Sequence, residues 1–245
     1  MTTSVWWVFV AALITALATG LGAVPFLFTR MTGIVWLGLA NAIAAGVMLA
    51  ASVGLVRESI DYSGWRTAVG AAVGVLLIIA VRRALHGHDH LEVGALHGVD
   101  ARKAVMIVAV MTVHSFSEGV GVGVAYGGGE ELGAFITAAI AVHNIPEGLA
   151  ISLVLVPRGV TVLAAAGWSV LSSLPQPLMA VPAFLFVEAF APLLPAGLGF
   201  AAGAMVYMVL AELVPEARAA APARSLLLAG GAAFVLMTVF QEFVL

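Results

Sequence analysis

Long apolar runs separated by short polar breaks fill this chain from end to end. A helix needs about 20 mostly apolar residues to cross the hydrocarbon core of a bilayer. Eight stretches fall in or near that range: 5–28, 34–56, 66–82, 104–125, 133–155, 161–187, 196–214 and 225–243. The breaks carry charge, glycine or proline: Thr29 to Gly33, Arg57 to Gly64, Arg83 to Lys103, Tyr126 to Leu132, Val156 to Gly159, Glu188 to Pro195 and Pro215 to Arg224. Within lipid every backbone group must find its partner inside the chain, and a helix achieves this one segment at a time. The pattern therefore predicts an all-α integral membrane protein with eight transmembrane helices in a bundle. The first run passes small residues near Ala18 and Gly20, as a secretory leader would. It lacks a basic segment before it and stays apolar to Phe28, so it reads as the first membrane helix. The longest break is about twenty residues, so residues 1–245 are expected to form one transmembrane domain, with a cytoplasmic histidine-containing loop at 83–103.

Composition agrees with the pattern and narrows the chemistry. Apolar residues make up 62% of the chain and charged residues 9%, against about 25% charged in a soluble domain. So few charges cannot cover a water-facing surface of this size. A net charge of −3 with no basic block excludes nucleic acid as a partner. Cysteine is absent, which excludes disulfides and thiolate ligands, so a metal site here must draw on imidazole, carboxylate, amide, hydroxyl or thioether groups. The basic residues fall unevenly. Arg30, Arg82, Arg83, Arg102, Lys103, Arg158, Arg218 and Arg224 belong to one face of the predicted bundle, and only Arg57 and Arg66 to the other. Positive charge marks the cytoplasmic side, so both termini are expected outside. Trp6, Trp7, Trp36 and Trp65 stand at predicted span ends, where indoles favour the headgroup region.

Two charged residues lie inside spans rather than in breaks. Glu118 and Glu147 each sit near the centre of a run, where an ionised side chain costs about 2.5–3.5 kcal/mol on the insertion scale. Each follows a histidine by four residues, in His114-Ser115-Phe116-Ser117-Glu118-Gly119 and in His143-Asn144-Ile145-Pro146-Glu147-Gly148. That spacing sets imidazole and carboxylate one turn apart on one helix face. The two segments recur 29 residues apart on consecutive spans joined by a short turn, so the helices are antiparallel neighbours and the four groups can meet near the midplane. Two carboxylates offset a divalent charge, and two imidazoles favour zinc, iron, nickel or copper over magnesium or calcium. Pro146 lacks an N–H and should free the Val142 carbonyl and kink its helix. Gly119, Gly121, Gly123 and Gly148 permit close helix approach beside it. A single buried histidine is as often a packing partner as a ligand. Two copies of the same pair at equal depth are not explained by packing.

These segments resemble the signature helices of the ZIP (Zrt/Irt-like protein) metal transporters, closest to bacterial members whose fifth helix reads His-Asn-x-Pro-Glu-Gly. The resemblance extends to Gly46-Val47-Met48-Leu49-Ala50-Ala51-Ser52, to Gly203-Ala204-Met205-Val206-Tyr207 and to Glu212-Leu213-Val214-Pro215-Glu216-Ala217. It implies transport of divalent transition-metal ions, zinc foremost, towards the cytoplasm through a midplane site in a multi-pass protein of the bacterial inner membrane. It also implies a homodimer, and the ion as substrate with no prosthetic group. Carried over by position, a first ion would be held by His114, Glu118, His143 and Glu147 with Met48 beside them. A second would lie against Ser115, Asn144 and Gln176, bridged by the same glutamates. Members commonly carry Glu where this chain has Gln176, and often Asn and Asp at the positions of Ser115 and Asn144, so the second position loses carboxylates here.

Three other features read two ways. His86, His88, Asp89, His90, Glu92 and His97 form either a metal-collecting loop or a solvated one. Glu212 either lines an inner exit or turns to the interface. Glu58 and Asp61 either draw cations to an outer entrance or solvate a turn. Competing activities make different demands. An intramembrane zinc-dependent hydrolase needs an open coordination position and a spare general base. A haem carrier would use His114 and His143 as axial ligands and leave both glutamates without a role.

Overall fold

The computed structural model describes residues 4–28, 34–86 and 99–244. Helix α1 (Val5–Gly20) continues into a 3-10 turn at Leu21–Leu27. Helix α2 runs Ile34–His86, α3 Val99–Gly128, α4 Glu130–Leu155, α5 Val162–Ser173 and α6 Pro175–Ala189. Then follow α7 (Leu194–Met208), a π-helical turn at Val209–Leu213, α8 (Val214–Ala220) and α9 (Ala223–Val244). Among the described residues there is no strand. Among the described residues, six segments are long and apolar enough to cross a membrane: Val5–Leu27, Ile34–Ala80, Glu130–Arg158, Val162–Ala189, Ala191–Ala220 and Ala223–Phe243. The chain is an all-α multi-pass membrane protein.

The breaks differ from the hydropathy pattern in informative ways. Between Arg57 and Gly64 the chain stays helical up to a single extended residue, Ser63 (φ −172°, ψ 101°). Helical hydrogen bonding continues through Arg57, Glu58 and Asp61 because hydropathy reports the solvent around a segment, not its backbone. At 161–187, conversely, the apolar run holds as one segment, Val162–Ala189, while its helical hydrogen bonding does not. Pro175 and Pro177 lack N–H groups, and the helix is interrupted at Leu174 between α5 and α6. The turn from α3 to α4 is as short as expected. Gly129 takes φ +142°, open to glycine alone, and α4 starts at the next residue. Helices α2 and α3 extend into the expected 83–103 loop, and His88, Asp89, His90, Glu92 and His97 lie outside the described residues.

Helices α1, α3, α4, α5 and α6 pack on one another, and α2 packs along α7, α8 and α9. The two groups meet where α2 touches α4 and α3 touches α7. Small residues set the spacing. Gly70 and Gly74 of α2 face the backbone of Ala196 and Phe200, while Gly199 and Gly203 of α7 face the backbone of Thr67 and Ala71. Each helix thus offers glycines four apart to the other, and a Cβ at any of the four would collide with main chain. Gly119 and Gly123 of α3 meet Gln176 and Ala180 of α6 in the same way, bringing α6 against the helix that carries His114 and Glu118. Trp6, Trp7, Trp36 and Trp65 are exposed on the outside of the bundle.

Candidate metal centre

Helix α3 carries His114 and Glu118, and α4 carries His143 and Glu147. The i, i+4 spacing aligns each pair along its helix, and the Gly129 turn sets the helices antiparallel at matching depth. All four side chains are buried, and one ligand atom from each lies within 4.8 Å of the other three. His114 Nε2 and His143 Nε2 are 3.3 Å apart, with their rings stacked at 5.5 Å between centroids. Glu118 Oε1 stands 3.2 Å from His143 Nε2 and 3.6 Å from His114 Nε2. Glu147 Oε2 lies 3.9 Å from His143 Nε2. A tetrahedral zinc with bonds of about 2.0–2.1 Å spans edges of about 3.3 Å between its ligands. The nitrogens and Glu118 already sit near those edges, and Glu147 needs only a small inward shift.

Unpartnered atoms point to the same use. Both Glu147 oxygens have no hydrogen-bond partner, though buried, and Glu118 Oε1 has only the histidine nitrogens beside it. Buried polar atoms normally do find partners, because each one left bare costs about 1–3 kcal/mol. Two carboxyl groups held this close in an apolar bundle call for a shared positive charge, a proton or a metal cation.

The remaining predicted residues divide. Gln176, two residues past the break at Leu174, donates from Nε2 to Glu118 Oε2 at 2.7 Å. Asn144 donates from Nδ2 to the Thr15 carbonyl (2.7 Å) and to Gln176 Oε1 (3.1 Å), leaving its own Oδ1 unpartnered. Ser115 faces Ser173 at a weak 3.5 Å, and Ser173 is bonded to Thr19 at 2.8 Å. Met48 is fully buried in the apolar core of α2, its carbonyl accepting from Ser52. Thr15 and Thr19 escaped the sequence reading, although they are the only polar residues of α1 and lie four apart on one face. Glu212 sits on the π-helical turn, half-buried. Pro215, lacking an N–H, disrupts helical pairing just past that turn, and such π turns often mark functional sites.

Fold and centre together define a helical multi-pass membrane protein with a buried cluster of two imidazoles and two carboxylates of a kind that could hold a metal ion. The family model described as ZIP zinc transporter matches residues 82–238, and the chain belongs to that family. A protein of Arabidopsis thaliana, named as a candidate zinc transporter, is 46% identical over 205 residues, covering 82% of this chain and 33% of its own length. This chain thus spans about a third of that relative. The zinc transporter GufA of Myxococcus xanthus is 34% identical over 221 residues, 84% of this chain and 87% of GufA. The zinc transporter ZupT of Corynebacterium glutamicum is 32% identical over 227 residues, 84% and 86% of the two chains. Members of this family are transporters, not enzymes, which separates the transport reading from the hydrolase one.

Proposed function

We propose that this chain carries divalent transition-metal ions, zinc first among them, across the cell membrane towards the cytoplasm. Its substrate is held at the midplane by His114, Glu118, His143 and Glu147. One observation carries the reading: two imidazoles and two carboxylates converge within 4.8 Å, fully buried, between helices of a membrane protein. The donor set suits zinc and similar ions and is poor for calcium or magnesium. The bacterial relatives GufA and ZupT, both zinc transporters, also favour zinc. Met48 would contribute a soft thioether at the edge of the site. A weaker second position would draw on Asn144 Oδ1 and the carboxylates, beside Ser115 and Gln176.

Eight crossings, with both termini outside, belong to the same reading. The break at Ser63 divides α2, which at 53 residues would be roughly 80 Å long, far more than the ~30 Å hydrocarbon core. The uneven distribution of basic residues supports the orientation. The bacterial inner membrane as location follows from the bacterial relatives. A homodimer is part of the proposal, and α9, the least enclosed of the six apolar segments, offers the face for a second copy. The test is reconstitution into vesicles loaded with a zinc-sensitive dye. Zinc-dependent signal from the unmodified chain and its loss in His143→Ala supports the reading. Equal flux in both, at matched incorporation, refutes it.

A further inference from the structure

The polar groups around Glu118 are ordered in one direction. The Thr15 carbonyl can only accept, so Asn144 must turn Nδ2 towards it, at 2.7 Å. That nitrogen also reaches Gln176 Oε1 at 3.1 Å, and Thr15 Oγ1 shares its proton between the same oxygen at 2.5 Å and the Ala12 carbonyl at 2.7 Å. With its oxygen taken by two donors, Gln176 has only Nε2 to offer Glu118, and it does so at 2.7 Å. The reverse amide orientation would set oxygen against carboxylate oxygen and nitrogen against nitrogen. An acceptor-only group stands at each end of the relay, so the direction of every bond between them is fixed.

We propose that Thr15 of α1 is a positioning residue of the metal centre. Acting through Asn144 and Gln176, it holds an N–H donor on Glu118 Oε2, where a second cation would otherwise sit. The inference rests on the reading that His114, Glu118, His143 and Glu147 hold the ion. One Glu118 oxygen is thereby tied to an amide, while Oε1, which faces only the two histidine nitrogens, is committed to the substrate. A second ion would have to break a buried, charge-assisted hydrogen bond and then sit beside another divalent charge with no third carboxylate to offset it. The midplane therefore holds one ion tightly, and the second position beside Asn144 stays empty or weak. Helix α1, which supplies no ligand, reaches the ion through this relay: its Thr19 carbonyl is in close contact with Gly148 of α4, and Thr15 holds Asn144 of the same helix.

Calorimetric zinc titration of the purified full-length chain tests this. The unmodified chain should bind one zinc. Thr15→Val keeps the branched shape and the carbonyl but loses the hydroxyl proton, and should weaken zinc binding by about five- to tenfold. Thr15→Ser, which restores the hydroxyl, should return the affinity to that of the unmodified chain. Gln176→Glu replaces the donor by a carboxylate and should raise the count to two zincs per chain. Two zincs in the unmodified chain, full affinity in Thr15→Val, or no recovery in Thr15→Ser would each overturn the relay. His114→Ala run alongside separates the two levels of the argument. If it binds zinc as the unmodified chain does, the ligand assignment itself has failed.

Discussion

Replacing Glu147 by glutamine should make the ion-free protein more stable while disabling it. Glu147 is buried with both oxygens unpartnered, and its ligand atom lies within 4.8 Å of that of Glu118. At an effective dielectric of about 20, two ionised carboxylates at that distance would repel by roughly 3 kcal/mol, a cost the empty site limits by holding a proton, and each bare buried oxygen adds about 1–3 kcal/mol. Glu147→Gln removes the repulsion and supplies an N–H on the side of His143 Nε2. We expect a net gain of about 2–3 kcal/mol in chelator. At roughly 2–4 °C per kcal/mol for a chain of this size, the unfolding midpoint should rise by about 5–10 °C. Zinc binding should move the other way. Removing one partner from a buried charged cluster costs about 3–5 kcal/mol, which is about 10²–10⁴ in affinity. The assay is thermal unfolding of detergent-purified protein, with chelator and then with excess zinc, beside dye-reported uptake in vesicles. The unmodified chain should be the less stable without zinc and the more strongly stabilised by it. A variant that melts lower in chelator, or that transports zinc at the unmodified rate, would refute the claim that Glu147 is held bare for the ion.

Other expectations follow from the same geometry. His114→Ala and His143→Ala should each reduce uptake severely while membrane insertion, followed by expression and protease accessibility, stays intact. Zinc affinity should rise with pH between about 5 and 7, since ligands must shed protons to bind. Calorimetry in buffers of different ionisation enthalpy should therefore report proton release on loading, and none across that range would count against the ligand set. Joint replacement of His86, His88, His90 and His97 should leave uptake measurable, and complete loss in a folded variant would show that the loop belongs to the pathway. Gly203→Leu should destabilise the packing of α2 on α7, because its side chain would meet the main chain at Ala71, and yield of folded protein reads this directly.

The cluster of His114, Glu118, His143 and Glu147 was legible because ionisable residues are costly in lipid and their His-to-Glu spacing repeats. Glu118 and Glu147 stand out in any hydropathy reading, and a four-residue offset fixes the shared face without knowledge of the fold. Thr15 was not legible for the opposite reason. A threonine in a membrane helix bonds its own backbone at little cost, and its role at Gln176 arises only where three helices meet. Gln176 could be located from its motif, but its donor role depends on an amide orientation set by Asn144 and the Thr15 carbonyl. Helix boundaries were least legible where charge and backbone geometry part company, as along Arg57 to Gly64, and where proline interrupts the helix within an apolar run, as at Leu174.

X-ray absorption at the zinc edge, on purified chain equilibrated with a small excess of zinc and then freed of unbound metal, tests the central claim most directly. The account predicts retained zinc at about 2.0–2.2 Å from two imidazole nitrogens and carboxylate oxygen, and none retained when Glu118 and Glu147 are both alanine. Zinc surrounded by oxygen alone, or zinc held equally well by the double variant, would contradict it.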